Sequence, residues 1–278
     1  MPAKSRTYRP EKVRAALAGQ IDALNEAVRL LCARPDAGEL LDRPTRLGEW
    51  RVRELIAHLA VQIDWVPAHV EDPPEGRPPL DLLRWVERVG TVAPLLDEQA
   101  RARAADPAGG FGGGPAAVAA AFQEAVAGLA AVLAGTDYQD PARRFEIRLG
   151  SMLLTDMWVT RLVETVVHAD DLADALGTAD FPHDKQAVAA VTRLLADAFA
   201  DRAPGGAVEL RVPPYAVVQA VEGPRHTRGT PPNVVETDPL TWIRLATGRV
   251  GWADAVAAAT VSASGERSDL GAYLPVLA

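Results

Sequence analysis

Cysteine occurs once in the 278 residues, at Cys32. No disulfide can therefore form within the chain, and a disulfide-stapled secreted fold is excluded. Lysine is also scarce: the basic charge is nearly all arginine, a bias that fits a GC-rich genome better than it fits any function. Positive charge is in deficit overall. A net charge of −8 argues against a general nucleic-acid binder, which needs a basic surface to neutralise phosphates. It argues equally against an anionic membrane surface as partner. The N-terminal stretch MPAKSRTYRPEK lacks the apolar core of a signal peptide. No later run approaches the roughly 18 apolar residues of a membrane span. A cytoplasmic protein without a membrane span is expected.

The remaining composition is ordinary. With 48% hydrophobic and 24% charged residues, the chain has the makings of sizeable cores, and its length suits two domains better than one. Cys32 falls beside Leu30 and Leu31 on the apolar side of the first helical pattern, so it reads as a small buried hydrophobe rather than a reactive thiol.

Helical periodicity dominates the first two thirds. Val13, Leu17, Ile21, Leu24, Val28 and Leu31 recur at spacings of three and four, which predicts a helix from about Pro10 to Leu31. A second follows Pro44-Thr45 and carries Trp50, Leu55, Ile56, Leu59, Ile63 and Val66, with Pro67 placed to end or kink it. After the breaker cluster DPPEGRPP (72–79), helices are predicted over about 80–105 and 115–134. The stretch DPAGGFGGGP (106–115) between them reads as a flexible linker, since it lacks the Gly-Lys-Ser/Thr ending and the preceding strand of a phosphate loop. A last helix runs from about Leu149 to Leu176 and stops at Gly177. Long amphipathic helices with no strand between them predict an up-and-down bundle. Beyond residue 180 the texture changes: one more helix, short β-branched runs broken by Pro and Gly, a helix opened by Asp238-Pro239, and a closing helix and strand. The expected organisation is a helical bundle over 1–180 and a small α+β domain over 181–278.

The chemistry-bearing residues stand in the bundle region. Glu164 and His168 lie four apart in LVETVVHADDL, hence on one face of a helix whose flanks, Leu162, Val163, Val166 and Val167, are apolar. A carboxylate there requires a partner, because an unpaired buried charge is very costly. His58, in GEWRVRELIAHLAVQIDW, has Leu55 and Leu59 as helical neighbours and an inward-facing position. Two His and one Glu from facing helices make a three-ligand set that leaves a position open for water or substrate; the same spacing also arises by chance. Asp170 or Asp171 is placed to orient His168 from behind. His69, His183 and His226 sit near breakers or turns and read as solvated.

The pieces EWRVRELIAHLA (49–60) and VETVVHADDLADALG (163–177) resemble the two signature helices of the mycothiol-dependent maleylpyruvate isomerase family. The resemblance spans residues 10–177 and implies a DinB-like four-helix bundle. In that family the His of W-x-V-x-E-L-x-x-H-L and the Glu and His of E-x-x-x-H-x-x-D-L bind a divalent metal, typically zinc. Matched position by position, these are His58, Glu164 and His168, with Asp171 and Leu172 completing the second element. The segments DPLTWIRLATGR (238–249) and VSASGERSDLGAYLP are similar to the sterol-carrier-protein-like domain fused to the bundle in this actinobacterial group. The family's C-terminal catalytic arginine maps to Arg249, whose position equally suits a cation balancing a helix dipole. The chain departs from a minimal isomerase by longer bundle connections and a longer C-terminal region. Two functions follow. The first is a metal-dependent, mycothiol-using isomerase or thiol-transferase acting on a small electrophile. The second is a non-catalytic carrier whose C-terminal domain holds a lipid-like ligand, with Trp242, Ile243, Leu245 and Trp252 as lining or core.

Overall fold

A computed structural model describes residues 6–73, 75–140, 142–178, 180–223 and 232–277; His226 lies outside them. The chain divides into two compact units. One comprises Tyr8–Pro79 and Thr91–Ala187, the other Met1–Thr7, Leu80–Gly90 and Val188–Ala278.

The first unit is a helical bundle. Its helices are α1 (Pro10–Cys32), the short α2 (Ala37–Leu41) and α3 (Val52–His69). The chain leaves for the other unit as α4 (Leu82–Arg88) and returns as α5 (Ala93–Ala105), α6 (Pro115–Ala134) and α7 (Leu154–Leu176). Around the bundle, α1 packs on α6 and α7, and α3 packs on the same two, so the four form a closed square with α5 against the outside of α3. The apolar stripe of α1 is buried as its spacing predicts, with Leu17, Ile21 and Leu24 fully enclosed. Pro67 stays inside α3, two residues from its end. Gly177 terminates α7 in the left-handed conformation, φ 64°, and the Thr178 N–H returns to Ala173 O.

Several expectations are corrected. The bundle does contain strands: β1 (Arg144–Ile147) and β2 (Gly150–Leu153) form an antiparallel hairpin directly before α7. The predicted helix over 80–105 is broken in two, because its first apolar cluster, Leu82, Leu83, Trp85 and Val86, is buried in the other unit. The glycine-rich stretch 106–115 is a packed turn rather than a flexible linker. Phe111 is fully buried, Arg53 Nη1 donates to the carbonyls of Phe111 and Gly113 at 2.5 and 2.8 Å, and a Cβ on Gly112 would meet Ala105 O at 2.9 Å. Glycine here permits close backbone approach. Cys32 is half-buried, and burial holds its thiol above the usual range. Finally, α6 is apolar and long enough, by length and composition alone, to cross a membrane, with a mean hydropathy of 1.8. Alanine supplies that apolarity, while the larger Val118, Phe122, Val126 and Leu129 are buried in the bundle.

The second unit is a small α+β domain containing α4, most of α8 (Lys185–Arg202), β3 (Val208–Val212), β4 (Ala216–Ala220), β5 (Val234–Thr237), α9 (Pro239–Ala246), α10 (Trp252–Ala257) and β6 (Val261–Ser264). The sheet order is β4-β3-β5-β6, with β3 and β5 parallel and the outer pairs antiparallel. Along β3, Val208, Leu210 and Val212 are buried while Glu209 and Arg211 are half-buried, the period-two alternation of a sheet with one covered face. Asp238 caps α9 by accepting from the Leu240 and Thr241 N–H groups. Trp242, Ile243 and Leu245 are core, Trp242 standing edge-on to Phe199 at 5.7 Å, whereas Trp252 is half-buried.

Truncating Phe111 to Ala removes the anchor of the glycine-rich turn. F111A is expected to cost about 3–5 kcal/mol, read as a lowered urea midpoint; an unchanged midpoint would show that the turn is held by its backbone alone.

Candidate metal centre

The loop between α2 and α3 folds back on itself. Thr45 N–H and its hydroxyl both donate to Trp50 O, at 2.9 and 2.8 Å, and Gly48 supplies the left-handed residue the turn needs, φ 63°. The loop thereby sets Arg46 and Trp50 beside the inner faces of α3 and α7. The two helices run antiparallel, since His58 meets Glu164 while Gln62, one turn further along α3, meets Arg161, one turn earlier on α7.

His58 Nε2 lies 3.2 Å from Glu164 Oε2, and His168 Nε2 lies 3.5 Å from the same oxygen. Among the described residues these three make the one group of potential metal donors, their ligand atoms all within 4.8 Å of one another. The imidazoles meet edge to face at 4.7 Å between centroids, and Trp50 leans over both, 5.0 Å from His58 and 6.5 Å from His168. Trp50 is itself fixed by its Nε1–H, which donates to Asp97 Oδ1 at 2.5 Å.

His168 Nδ1–H donates to Asp171 Oδ2 at 2.8 Å. Asp171 is fully enclosed, and its other oxygen accepts from Arg46 Nε at 2.6 Å while Arg46 Nη2 grips Asp170 at 2.6 Å. A carboxylate behind an imidazole fixes the tautomer and aims Nε2 at the centre, as metal-bound histidines require. His58 has no such support. Its Nδ1 is enclosed without a hydrogen-bond partner among the described residues, and the ring packs on Trp50 and His168.

Electrostatics keep the three side chains apart in character. Burial raises the Glu164 carboxyl, but hydrogen bonds and charge from His168 and His58 outweigh it and hold the group well below the usual carboxylate range. Burial pulls His58 below the ordinary imidazole range, Glu164 opposing without prevailing. Burial pulls His168 down too, yet Asp171 and Glu164 prevail and raise it.

The donor set fits a divalent cation. Tetrahedral bonds of about 2.0–2.1 Å place neighbouring donors about 3.3 Å apart, close to the observed 3.2 and 3.5 Å. Three protein ligands leave a fourth position for a small molecule.

Residues 21–173 match the family described as the mycothiol maleylpyruvate isomerase N-terminal domain. The chain belongs to the mycothiol-dependent maleylpyruvate isomerase family. Residues 184–276 match the family described as bacterial SCP ortholog. Similar solved structures are the mycothiol-dependent maleylpyruvate isomerase and its histidine-to-alanine mutant. Each is 16% identical, with 94% of this chain and 95% of theirs covered, at TM-scores of 0.60 and 0.59. Likeness at that identity speaks for the fold, helical bundle plus small α+β domain. No curated protein matches.

Of the other residues singled out from the sequence, Arg249 belongs to the second unit, following α9, where its Nη1 donates to Thr247 O at 2.8 Å. His69 Nδ1–H donates to Trp65 O at 2.7 Å, and His183 Nδ1 accepts from Gln20 at 3.1 Å; neither joins the cluster. Sequence reasoning missed Arg46 and Asp97, whose loop and helix positions carry no periodic signal. It also missed Arg161, which a search for a cation on an otherwise apolar helix face would have found.

Asp171→Ala is expected to weaken Zn²⁺ binding 10- to 100-fold while one ion per chain is still taken up at saturation. Ligands bind metal deprotonated, and metal-free His168 keeps its proton to higher pH than an ordinary imidazole. Zinc affinity, measured by chelator competition, therefore falls as pH is lowered from about 8 to about 6. In Asp171→Asn, which loses the group raising His168, the fall begins at lower pH. A pH-independent affinity over this interval would contradict the assignment of His168.

Proposed function

We propose that this chain is a metal-dependent isomerase that uses mycothiol on a small electrophilic molecule. The reading is carried by the convergence of His58, Glu164 and His168, their donor atoms all within 4.8 Å of one another, with a carboxylate bracing the His168 imidazole.

Zinc or another divalent cation held by these three would supply the positive charge that keeps a thiol deprotonated at neutral pH. The chain's own residues do the rest. Glu164 contributes the one negative charge among the ligands, and its low pKa keeps it ionised throughout the physiological range. Asp171 holds the proton at His168 Nδ1, leaving Nε2 free to donate its lone pair, and Arg46 prevents Asp171 from turning away. Trp50 shields the imidazoles from bulk water on one side, which strengthens every charge interaction in the centre. A role for Arg249 on an anionic substrate rests on the sequence resemblance. Its test is an Arg249→Ala variant with zinc content unchanged and turnover lowered by at least tenfold.

Full-length protein supplied with Zn²⁺, mycothiol and maleylpyruvate, the substrate named for the similar solved enzyme, is expected to isomerise it, followed by ultraviolet absorbance. His58→Ala and Glu164→Gln are expected to lower the rate by about a hundredfold or more, the scale on which losing an electrostatic stabiliser acts. Absence of zinc uptake by carefully purified protein would remove the proposal. The carrier reading has the match of residues 184–276 behind it. Native mass spectrometry separates the two: a co-purified lipid with no metal favours the carrier.

A further inference from the structure

Arg161 is buried to 7% exposure within the bundle, on the same face of α7 as the candidate ligands: Arg161, Glu164 and His168 stand at i, i+3 and i+7. Its layer repeats that of the metal centre one turn away. Where α3 offers His58 to Glu164, it offers Gln62 to Arg161. Helical neighbours three or four apart lie about 5–6 Å from each other at Cβ, and the charge of the Arg161 guanidinium acts on both Glu164 and His58.

The surroundings do not account for its charge. Arg161 Nη1 donates to Gln62 O at 3.2 Å and to Gln62 Oε1, and Nε donates to Thr160 Oγ1 at 3.3 Å. Every one of these acceptors is neutral, and Nη2 has no partner among the described residues. The carboxylate whose charge reaches Arg161 is Glu164, and it lies between the two imidazoles. Arg46 provides the contrast within the same site: its guanidinium is met by two carboxylates, each at 2.6 Å. A buried arginine kept only for structure would be paired or replaced by an apolar residue of like volume, often with a gain in stability. Here Gln62 and Thr160 fix the plane of the fork without neutralising it.

A planar guanidinium with unused donors suits a carboxylate, which it binds by paired hydrogen bonds.

We propose that Arg161 is an anion subsite beside the metal centre, taking a carboxylate of the small-molecule substrate. This rests on the reading of the cluster as a substrate-binding metal site, and it assigns the residue that holds the substrate's carboxylate. Arg161 acts as a binding residue that sets specificity.

The test is calorimetric titration of zinc-loaded full-length protein with succinate and with its uncharged diamide, succinamide, repeated on metal-free protein. Wild type is expected to bind succinate in preference to succinamide. Arg161→Gln is expected to raise the succinate dissociation constant at least tenfold with zinc still at one per chain, and Arg161→Lys, which keeps the charge without the fork, to fall between. Should Arg161→Gln fail to fold or to load zinc, Arg161→Lys decides. Equal succinate binding by both variants and wild type, or no preference of wild type for succinate, overturns the proposal. So does loss of fold or of zinc in both variants, which would make Arg161 a part of the scaffold. Failure of the metal reading is distinguishable, because it appears as no zinc uptake by wild type, and the metal-free titration still reports on Arg161.

Discussion

An ionised carboxylate held in the middle of a helical bundle is the constraint around which the first unit is arranged. Glu164 sits on α7, most of whose surface is buried, and an isolated charge there is costly enough that it must be paired or neutralised. The pairing extends outward in steps. Two imidazoles meet Glu164, one of them needs Asp171 to fix its tautomer, and Asp171, fully enclosed, needs Arg46. Each member answers the desolvation of the one before it. The chain of pairings reaches solvent at Arg46, which is less buried than Asp170 and Asp171 and also faces the exposed Asp174 at 3.7 Å.

This arrangement explains why the centre belongs to two antiparallel helices and one loop. α3 and α7 supply side chains in register, turn against turn, so that a row of metal donors and a row of polar anchors lie side by side. The loop of residues 44–51 contributes what a helix face has no room for: an arginine reaching behind the ligands and a tryptophan laid over them. Its tight internal hydrogen bonds hold both.

Membership of the isomerase family and the likeness to its solved structure at 16% identity show how little of the sequence the fold requires. Bundle packing asks for apolar residues at helical spacing, and many sequences provide that. The centre is more demanding, since its side chains must meet at defined distances. A fold of this kind hosts different reactions according to what surrounds its centre, which gives the charges lining it, Arg161 foremost, their importance for substrate choice.

The four long helices α1, α3, α6 and α7, the turn in texture near residue 180 and the grouping of His58, Glu164 and His168 as candidate ligands were legible in the sequence. Each rests on local information: helical spacing, cap residues, or short motifs carried within one helix. Other features were settled by contacts between residues far apart in the chain. Leu82–Val86 bury their apolar cluster in the second unit, which breaks a helix that periodicity alone continues. Phe111 and Arg53 turn a glycine-rich stretch into a packed corner. Residues 144–153 form a hairpin because each strand finds its partner in the other. Within the site, the sequence marked which residues are candidates to bind a metal. Only the tertiary structure decided that Asp171 rather than Asp170 braces His168, that Arg46 stands behind both, and that Arg161 is buried among neutral acceptors. Spacing along a helix fixes the face a side chain occupies, but the balance of buried charge depends on which other chain segments are folded against that face.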